Sequence, residues 1–253
     1  MNFGKGGSMV GVNVATQAAL FHAVTRRFDG GDGFALATLN LDHLSKLPHD
    51  PIFATAYRAH DLVVADGRPV VWLAQFARQP LELMPGSDMI LPLCEVAARS
   101  GVTVALVGSS DDALAGAAAA LEKQVEGLKV CFTHAPPYGF DPEGPEADAI
   151  LADLAQSGAR LCFIALGAPK QEIFAARGRQ IAPAVGFASI GAGLDFLSGH
   201  QVRAPKLMRM MALEWLWRAA QNPRRMIPRY AKCFAILPSL VLEALQTRRA
   251  RKE

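Results

Sequence analysis

Asp66 ends the apolar run Leu62–Ala65 and is followed by Gly67. Its carboxylate is therefore expected at the end of a buried strand, on the edge where open α/β sheets bind ligands. It can act there as a general base, which requires a carboxylate within hydrogen-bond reach of the hydroxyl it activates. Alternatively, it caps the helix that follows. Other polar clusters also end apolar runs: Thr38 and Asn40, Gly108-Ser109-Ser110, Gly167-Ala168-Pro169-Lys170-Gln171, and Gly191-Ala192-Gly193. Three of these are glycine-containing strand-to-helix turns. Glycine admits close approach of a ligand to the backbone, and the next helix offers free N–H groups and a positive dipole end to phosphate. Any one such turn is also explained by the ordinary preference of tight turns for Gly and Ser. Several on one edge favour a phosphate-bearing ligand.

These clusters need a scaffold that gathers strand ends. Apolar runs at Phe34–Leu39, Leu62–Ala65, Val102–Val107, Lys129–Thr133, Leu161–Leu166 and Val185–Ile190 read as strands. Helical patterns lie between them, at about 42–60, 69–77, 89–99 (with Ser87 or Asp88 as N-cap), from Ser109-Ser110-Asp111 to about 126, 146–156 and 170–180. Pro136–Pro145 reads as a loop. This alternation predicts an α/β fold, a Rossmann-like, mostly parallel sheet with helices on both faces. Beyond about Gly199 no further strand is expected. Helices over 205–220 and 229–247, joined by Asn222-Pro223-Arg224-Arg225, form a basic helical C-terminal appendage. The division is an α/β body over 1–200 and a basic helical appendage over 201–253.

Charge supports that division. The chain has 253 residues and a net charge of +3, from 26 Lys+Arg and 23 Asp+Glu. Residues 201–253 carry 12 basic and 3 acidic side chains, leaving 14 and 20 for residues 1–200. An acidic body with a basic tail suggests that the tail meets phosphates. Several classes are excluded or disfavoured. No G-x-x-x-x-G-K-[ST] occurs, and neither glycine turn completes G-x-G-x-x-G. There is no D-x-D pair to hold a divalent ion on a diphosphate. The four cysteines, Cys94, Cys131, Cys162 and Cys233, show no C-x-x-C or zinc-ligand spacing and read as reduced structural thiols. No metal and no cofactor are expected. The N-terminus lacks the apolar block of a signal peptide. The longest apolar candidate, Cys233–Leu245, contains Pro238 and Glu243 and is too short to span a bilayer.

The chain resembles the WecG/TagA/CpsF glycosyltransferases (glycosyltransferase family 26) over about Phe34–Tyr230. The matching stretches are TLNLDHL (38–44), ADG (65–67), PGSDM (85–89), LVGS (106–109), ALGAPKQE (165–172), IGAGLDFLSG (190–199), RAPKLMR (203–209) and LEWLWRAAQNPRR (213–225). The resemblance implies an inverting, metal-independent enzyme, cytoplasmic and peripheral on the inner face of the bacterial plasma membrane. It would pass a sugar (N-acetylmannosamine, its uronic acid or a hexose) from a UDP-sugar to a polyprenyl-diphosphate-linked saccharide for cell-surface polysaccharide. Teichoic acid linkers, common antigen, capsule and exopolysaccharide are such products.

Carried over by motif, Asp66 is the base, and Thr38 and Asn40 position the acceptor or that base. Gln171 faces the sugar or diphosphate, and the 190–195 turn with Asp195 holds the UDP nucleoside. Arg218, Arg225 and Arg229 reach the donor diphosphate, so the resemblance implies that the appendage over 201–253 closes the active site of a catalytic domain over 1–200. Gly108, Gly167, Pro169 and Gly191 complete the substrate-binding turns. With no metal, guanidinium forks and oriented N–H groups must meet the UDP charge. Two departures stand out. Arg68-Pro69 follows Asp-Gly where the family has a small or apolar residue and then Gly, and Pro228 interrupts the arginine run after Pro-Arg-Arg, which is expected to shift how the last helix docks.

The Met- and Trp-rich stretch 205–220 and the Arg248–Lys252 cluster suit an anionic membrane surface, although the same apolar residues would also serve as ordinary core. Nucleic acid is not expected as a partner, since the basic stretch shows no recognition fold. Homo-oligomerisation is left open. A rival reading is a non-catalytic UDP-sugar- or lipid-binding subunit of a polysaccharide assembly complex, with a nicotinamide oxidoreductase as a more distant one.

Overall fold

The computed structural model describes residues 1–4, 6–199, 204–205, 208 and 213–250. Most of the RAPKLMR stretch, and Arg251 and Lys252 of the terminal basic cluster, lie outside them. A short antiparallel hairpin, β1 (Asn2–Phe3) with β2 (Val10–Gly11), precedes α1 (Gln17–Gly30). The α/β alternation follows: β3 (Phe34–Leu39), α2 (Leu41–Lys46), α3 (Pro51–Arg58), β4 (Leu62–Ala65), α4 (Arg68–Phe76), α5 (Gly86–Arg99), β5 (Thr103–Gly108), α6 (Asp111–Gln124). It continues with β6 (Val130–His134), α7 (Pro145–Gln156), β7 (Ala159–Ala165), α8 (Lys170–Ile181), β8 (Gly186–Ser189) and α9 (Gly193–Leu197). Last come α10 (Glu214–Gln221) and α11 (Pro223–Ala250).

The six long strands form one parallel sheet, as the apolar runs predict, and its order is β4-β3-β8-β7-β5-β6. Successive side chains in a strand face opposite ways. Leu36, Leu106 and Phe163 accordingly enter the core under α1, α5 and α6. Ala105, Ile164 and Phe187 enter a second core with Phe174 of α8 and Leu154 of α7. Ala37, Leu39, Val63 and Ala65 pack with Phe53, Tyr57 and Leu73 of α3 and α4. Each large apolar side chain so buried contributes about 1.5–3 kcal/mol.

Four details differ from the sequence reading. The helix expected over 42–60 is broken into α2, a 3-10 turn at Leu47–His49, and α3. Pro48 and Pro51 lack the N–H that a continuous helix needs, and Asp50 caps α3 by accepting from Phe53 N at 2.9 Å. Helix α5 starts at Gly86, ahead of Ser87 and Asp88, with no side-chain cap. Helix α1, capped by Thr16, has no counterpart in the sequence reading. Finally, α11 starts at Pro223, runs through Pro228 and Pro238, and reaches Ala250. Proline is preorganised for the first helical position, and Arg225 N donates to Asn222 Oδ1 at 3.4 Å. Leu240 and Ala244 of α11 are buried in the same core as β3, β4 and α4, and Glu243 Oε2 accepts from Gly4 N at 3.1 Å. The second appendage helix thus packs on the body.

Candidate active site

Parallel pairing puts all strand carboxyl ends on one edge, and register decides which ends meet. Leu39 pairs with Ala65, so the next residues, Asn40 and Asp66, stand side by side. Asn40 Nδ2 donates to Asp66 Oδ2 at 3.2 Å, and Asp66 N donates to Leu39 O at 2.7 Å. Asn40 is also the N-cap of α2, its Oδ1 accepting from His43 N at 3.1 Å. Both ends of the amide are thereby engaged, with its nitrogen toward the carboxylate. Buried Thr38 donates from Oγ1 to Ser189 O at 3.3 Å and ties β3 to β8 just below the rim. Helix α4 starts from Gly67 with no side-chain cap, so Asp66 does not play the capping role.

Asp66 keeps part of its surface at the rim and is otherwise enclosed by protein. Burial pushes its carboxyl up to about 6. The Asn40 N–H opposes that rise, Glu214 and Asp88 add to it, and Arg218 opposes it. Such a group is ionised at neutral pH yet basic enough to draw a proton from a hydroxyl during reaction.

The neighbouring turns are cross-tied. Gln171 is 2% exposed; its Oε1 accepts from Gly191 N at 3.0 Å, and its Nε2 donates to Glu172 Oε1 at 2.8 Å. The residue expected to face the sugar or diphosphate therefore has its amide engaged at both ends, as a strut between the turns after β7 and β8. Glu172 is fully buried, and burial pushes it up to about 7 against the pull of Gln171. Ser109 donates from Oγ to Asp195 Oδ1, joining the turn after β5 to α9. Ser109 holds φ +57, a conformation that costs a non-glycine residue about 1–3 kcal/mol.

The glycines of the turns divide into two kinds. A Cβ on Gly108 would lie 2.5 Å from Ala165 O, so the adjacent strand dictates glycine there. Gly191, at φ +60, faces open space within 4 Å, and so does Gly167, which precedes the cis Ala168–Pro169 bond. The first turn of α6 carries Asp111 and Asp112, carboxylates that occupy the dipole end a phosphate would use.

Beside these turns lies an open cavity of about 480 Å³, lined by Ser109, Pro137, Tyr138, Phe140, Leu166 and Lys170 among others. The Tyr138 side chain is fully exposed. Lys170 donates to Phe140 O at 2.6 Å and holds the loop that carries Tyr138.

The three arginines assigned to the diphosphate fall in different surroundings. Arg218 lies near enough to Asp66 to act on its ionisation; its Nε donates to Glu214 Oε1 at 3.0 Å, and its guanidinium sits 5.9 Å from the Phe196 ring centroid. Arg225 is exposed at the start of α11. Arg229 pairs with buried Asp42. Its Nη2 donates to Oδ2 at 2.8 Å, and its Nε lies 2.8 Å from Oδ1 without hydrogen-bond geometry. Lys46 Nζ completes that cluster, 2.7 Å from Asp42 Oδ2. Burial alone would raise the Asp42 carboxyl; Arg229 and Lys46 outweigh it and hold the group below its usual range. Among the described residues, no group of three His, Cys, Asp or Glu side chains is arranged to hold a metal ion.

Against this geometry, the chain matches the glycosyl transferase WecG/TagA/CpsF family over residues 8–253. It belongs to that family. A role as a glycosyltransferase of cell-surface polysaccharide synthesis follows for this WecG/TagA/CpsF chain, with a sugar donor and an acceptor as substrates. Sequence reasoning passed over His43, Tyr57, Glu172 and Tyr138. His43 and Glu172 lie inside the quoted TLNLDHL and ALGAPKQE stretches. The signal for His43 was its place three residues after Asn40, one helical turn into the helix that Asn40 caps.

Proposed function

We propose that this chain is an inverting, metal-independent hexosyltransferase moving a sugar from a UDP-sugar to a polyprenyl-diphosphate-linked saccharide. The Asp66–Asn40 pair carries the reading, since a carboxylate poised near neutrality by burial, and oriented by an amide, stands at the strand edge that binds ligands. The Asp66 carboxylate accepts the proton of the acceptor hydroxyl as its oxygen bonds to the anomeric carbon. On the opposite face the bond from that carbon to the diphosphate oxygen breaks, and UDP leaves with the electron pair. Arg218 and exposed Arg225 offer guanidinium forks for the developing charge. Arg229 joins them only by leaving Asp42. Asp195 and the Gly191 turn hold the nucleoside, and the exposed Tyr138 ring provides a face on which the uracil stacks.

The appendage supports contact with an anionic membrane surface, as a peripheral protein on the cytoplasmic face. Ile227, Phe234, Leu242 and Leu245 are exposed along α11 at helical spacing, with Arg224, Arg225, Lys232 and Arg249 on the same helix. Among the described residues no helix is long and apolar enough to cross a membrane.

A screen of UDP-sugars, including UDP-N-acetylmannosamine, for thermal stabilisation selects the donor. Turnover with a polyprenyl-diphosphate-linked saccharide follows, with and without a chelator. Asp66→Asn should lose transfer, by at least about a hundredfold, while still binding UDP. Near-normal turnover in that variant would remove Asp66 as the base. Donor binding by the wild type without turnover on any lipid-diphosphate acceptor favours the non-catalytic subunit.

A further inference from the structure

Asn40 reaches Asp66 with one amide proton, and its second must also be placed. His43 Nε2 lies 3.5 Å from Asn40 Nδ2, and His43 Nδ1 lies 3.3 Å from Tyr57 Oη. Both rings are buried, His43 4% and Tyr57 1% exposed. His43 is further enclosed by edge contacts with Phe53 and Tyr57, at centroid distances of 5.8 and 5.7 Å. Taken together, these contacts define a tautomer. With Nδ1 protonated and donating to Tyr57 Oη, Nε2 is free to accept from Asn40.

We infer that His43, backed by Tyr57, is a positioning residue that fixes the Asn40 amide against Asp66. The inference rests on the reading of Asp66 as the base. The role requires a neutral ring, because a protonated Nε2 would donate and could not accept from Asn40. Burial drives the His43 ring down to about 3, so it is neutral at every working pH. Besides Tyr57 on α3, the charged and titratable groups around it are Asp42 and Lys46 on α2, Arg229 on α11, Glu172 on α8 and His60. Glu172 Oε1 lies 4.0 Å from Nε2, and against a neutral ring this is a contact and not an ion pair. The groups that face Asp66 are Asn40 at the N-cap of α2, Asp88 on α5, and Glu214 and Arg218 on α10; Tyr57 on α3 is also within electrostatic reach.

The test follows Asp66 directly, so it does not depend on knowing the donor. The Asp66 side-chain carboxyl is titrated by ¹³C NMR in the full chain, its signal assigned by its absence in Asp66→Asn. His43→Phe keeps a ring but offers no acceptor. The Asn40 amide loosens, the carboxylate loses part of the N–H donation that favours ionisation, and the Asp66 titration moves to higher pH. His43→Gln places a carbonyl near the position of Nε2 and should return the midpoint most of the way. In turnover with the donor selected above, His43→Phe should lower kcat roughly ten- to a hundredfold, with KM for the donor unchanged and the acid limb displaced in the same direction. An unmoved Asp66 midpoint in folded His43→Phe overturns the inference, as does a kcat loss without displacement of the acid limb. Should His43→Phe fail to fold, Tyr57→Phe carries the test, with a smaller upward move expected and an unchanged midpoint overturning it. Full turnover in Asp66→Asn would instead remove the base reading itself, a separate result.

Discussion

Replacing Asp66 by Asn should make the protein more stable while inactivating it. The ordinary carboxyl value for this residue is 3.8, and burial lifts it to about 6 in the fold. An acid whose folded value is raised binds its proton more tightly when folded, so stability falls as pH rises from the unfolded value through the folded one. The full displacement corresponds to about 3 kcal/mol, and about 1–3 kcal/mol is expected once solvent at the rim is allowed for. The substituted amide would keep the size of the side chain and still accept from Asn40, yet it carries no charge to desolvate. The stability gain of Asp66→Asn over wild type should thus be smallest near pH 4. It should reach about half its full size near pH 5 and level off above about pH 7. Urea unfolding of both proteins at pH 5, 6, 7 and 8 reads this directly, with equal m values as a check on two-state behaviour. A variant no more stable than wild type at pH 8, or a gain that shrinks as pH rises, refutes the claim that Asp66 is held ionised against burial.

As the proposed base, the same carboxyl should set the acid limb of kcat/KM in the free enzyme, with activity falling as pH drops through about 6, read from a pH–rate profile. Arg229→Ala breaks half of the cluster at Asp42, a pair 35% and 8% exposed, and should cost about 1–3 kcal/mol, measured by denaturation with an Asp42→Ala double-mutant cycle. Phe234→Glu with Leu242→Glu, both at exposed positions of α11, should weaken sedimentation with phosphatidylglycerol vesicles while leaving UDP affinity unchanged. Tyr138→Ala should weaken UDP binding roughly ten- to a hundredfold, read by calorimetry, with little effect on stability because the ring is fully exposed.

Much of the fold is written locally. The strand runs Phe34–Leu39 and Leu62–Ala65 match the observed bounds, because a parallel strand buried on both faces leaves a near-continuous apolar signature. The capped start of α6 at Ser110 was legible for the same kind of reason, since a cap bond spans three residues. That the carboxyl ends of the strands gather on one edge was legible too, given alternating β and α. Helix α1, whose apolar face is spaced among polar residues, gave a weaker signal, and the 42–60 segment hid two breaks at Pro48 and Pro51.

Side-chain partnerships between distant segments were not legible. Sequence supplied Asp66 and Asn40 as candidates, but only the Leu39–Ala65 register brings them to 3.2 Å. It named Arg229 for the diphosphate but gave no sign that the packing of α11 on α2 brings it to Asp42, 187 positions away. It placed Gln171 at the rim but gave no sign that Gly191 and Glu172 would engage both ends of its amide. Backbone preference and residue type are local properties, and they determined the elements and the edge of the sheet. The proton affinity of Asp66 depends on which groups surround it and how much water they exclude. Tertiary structure alone decides both.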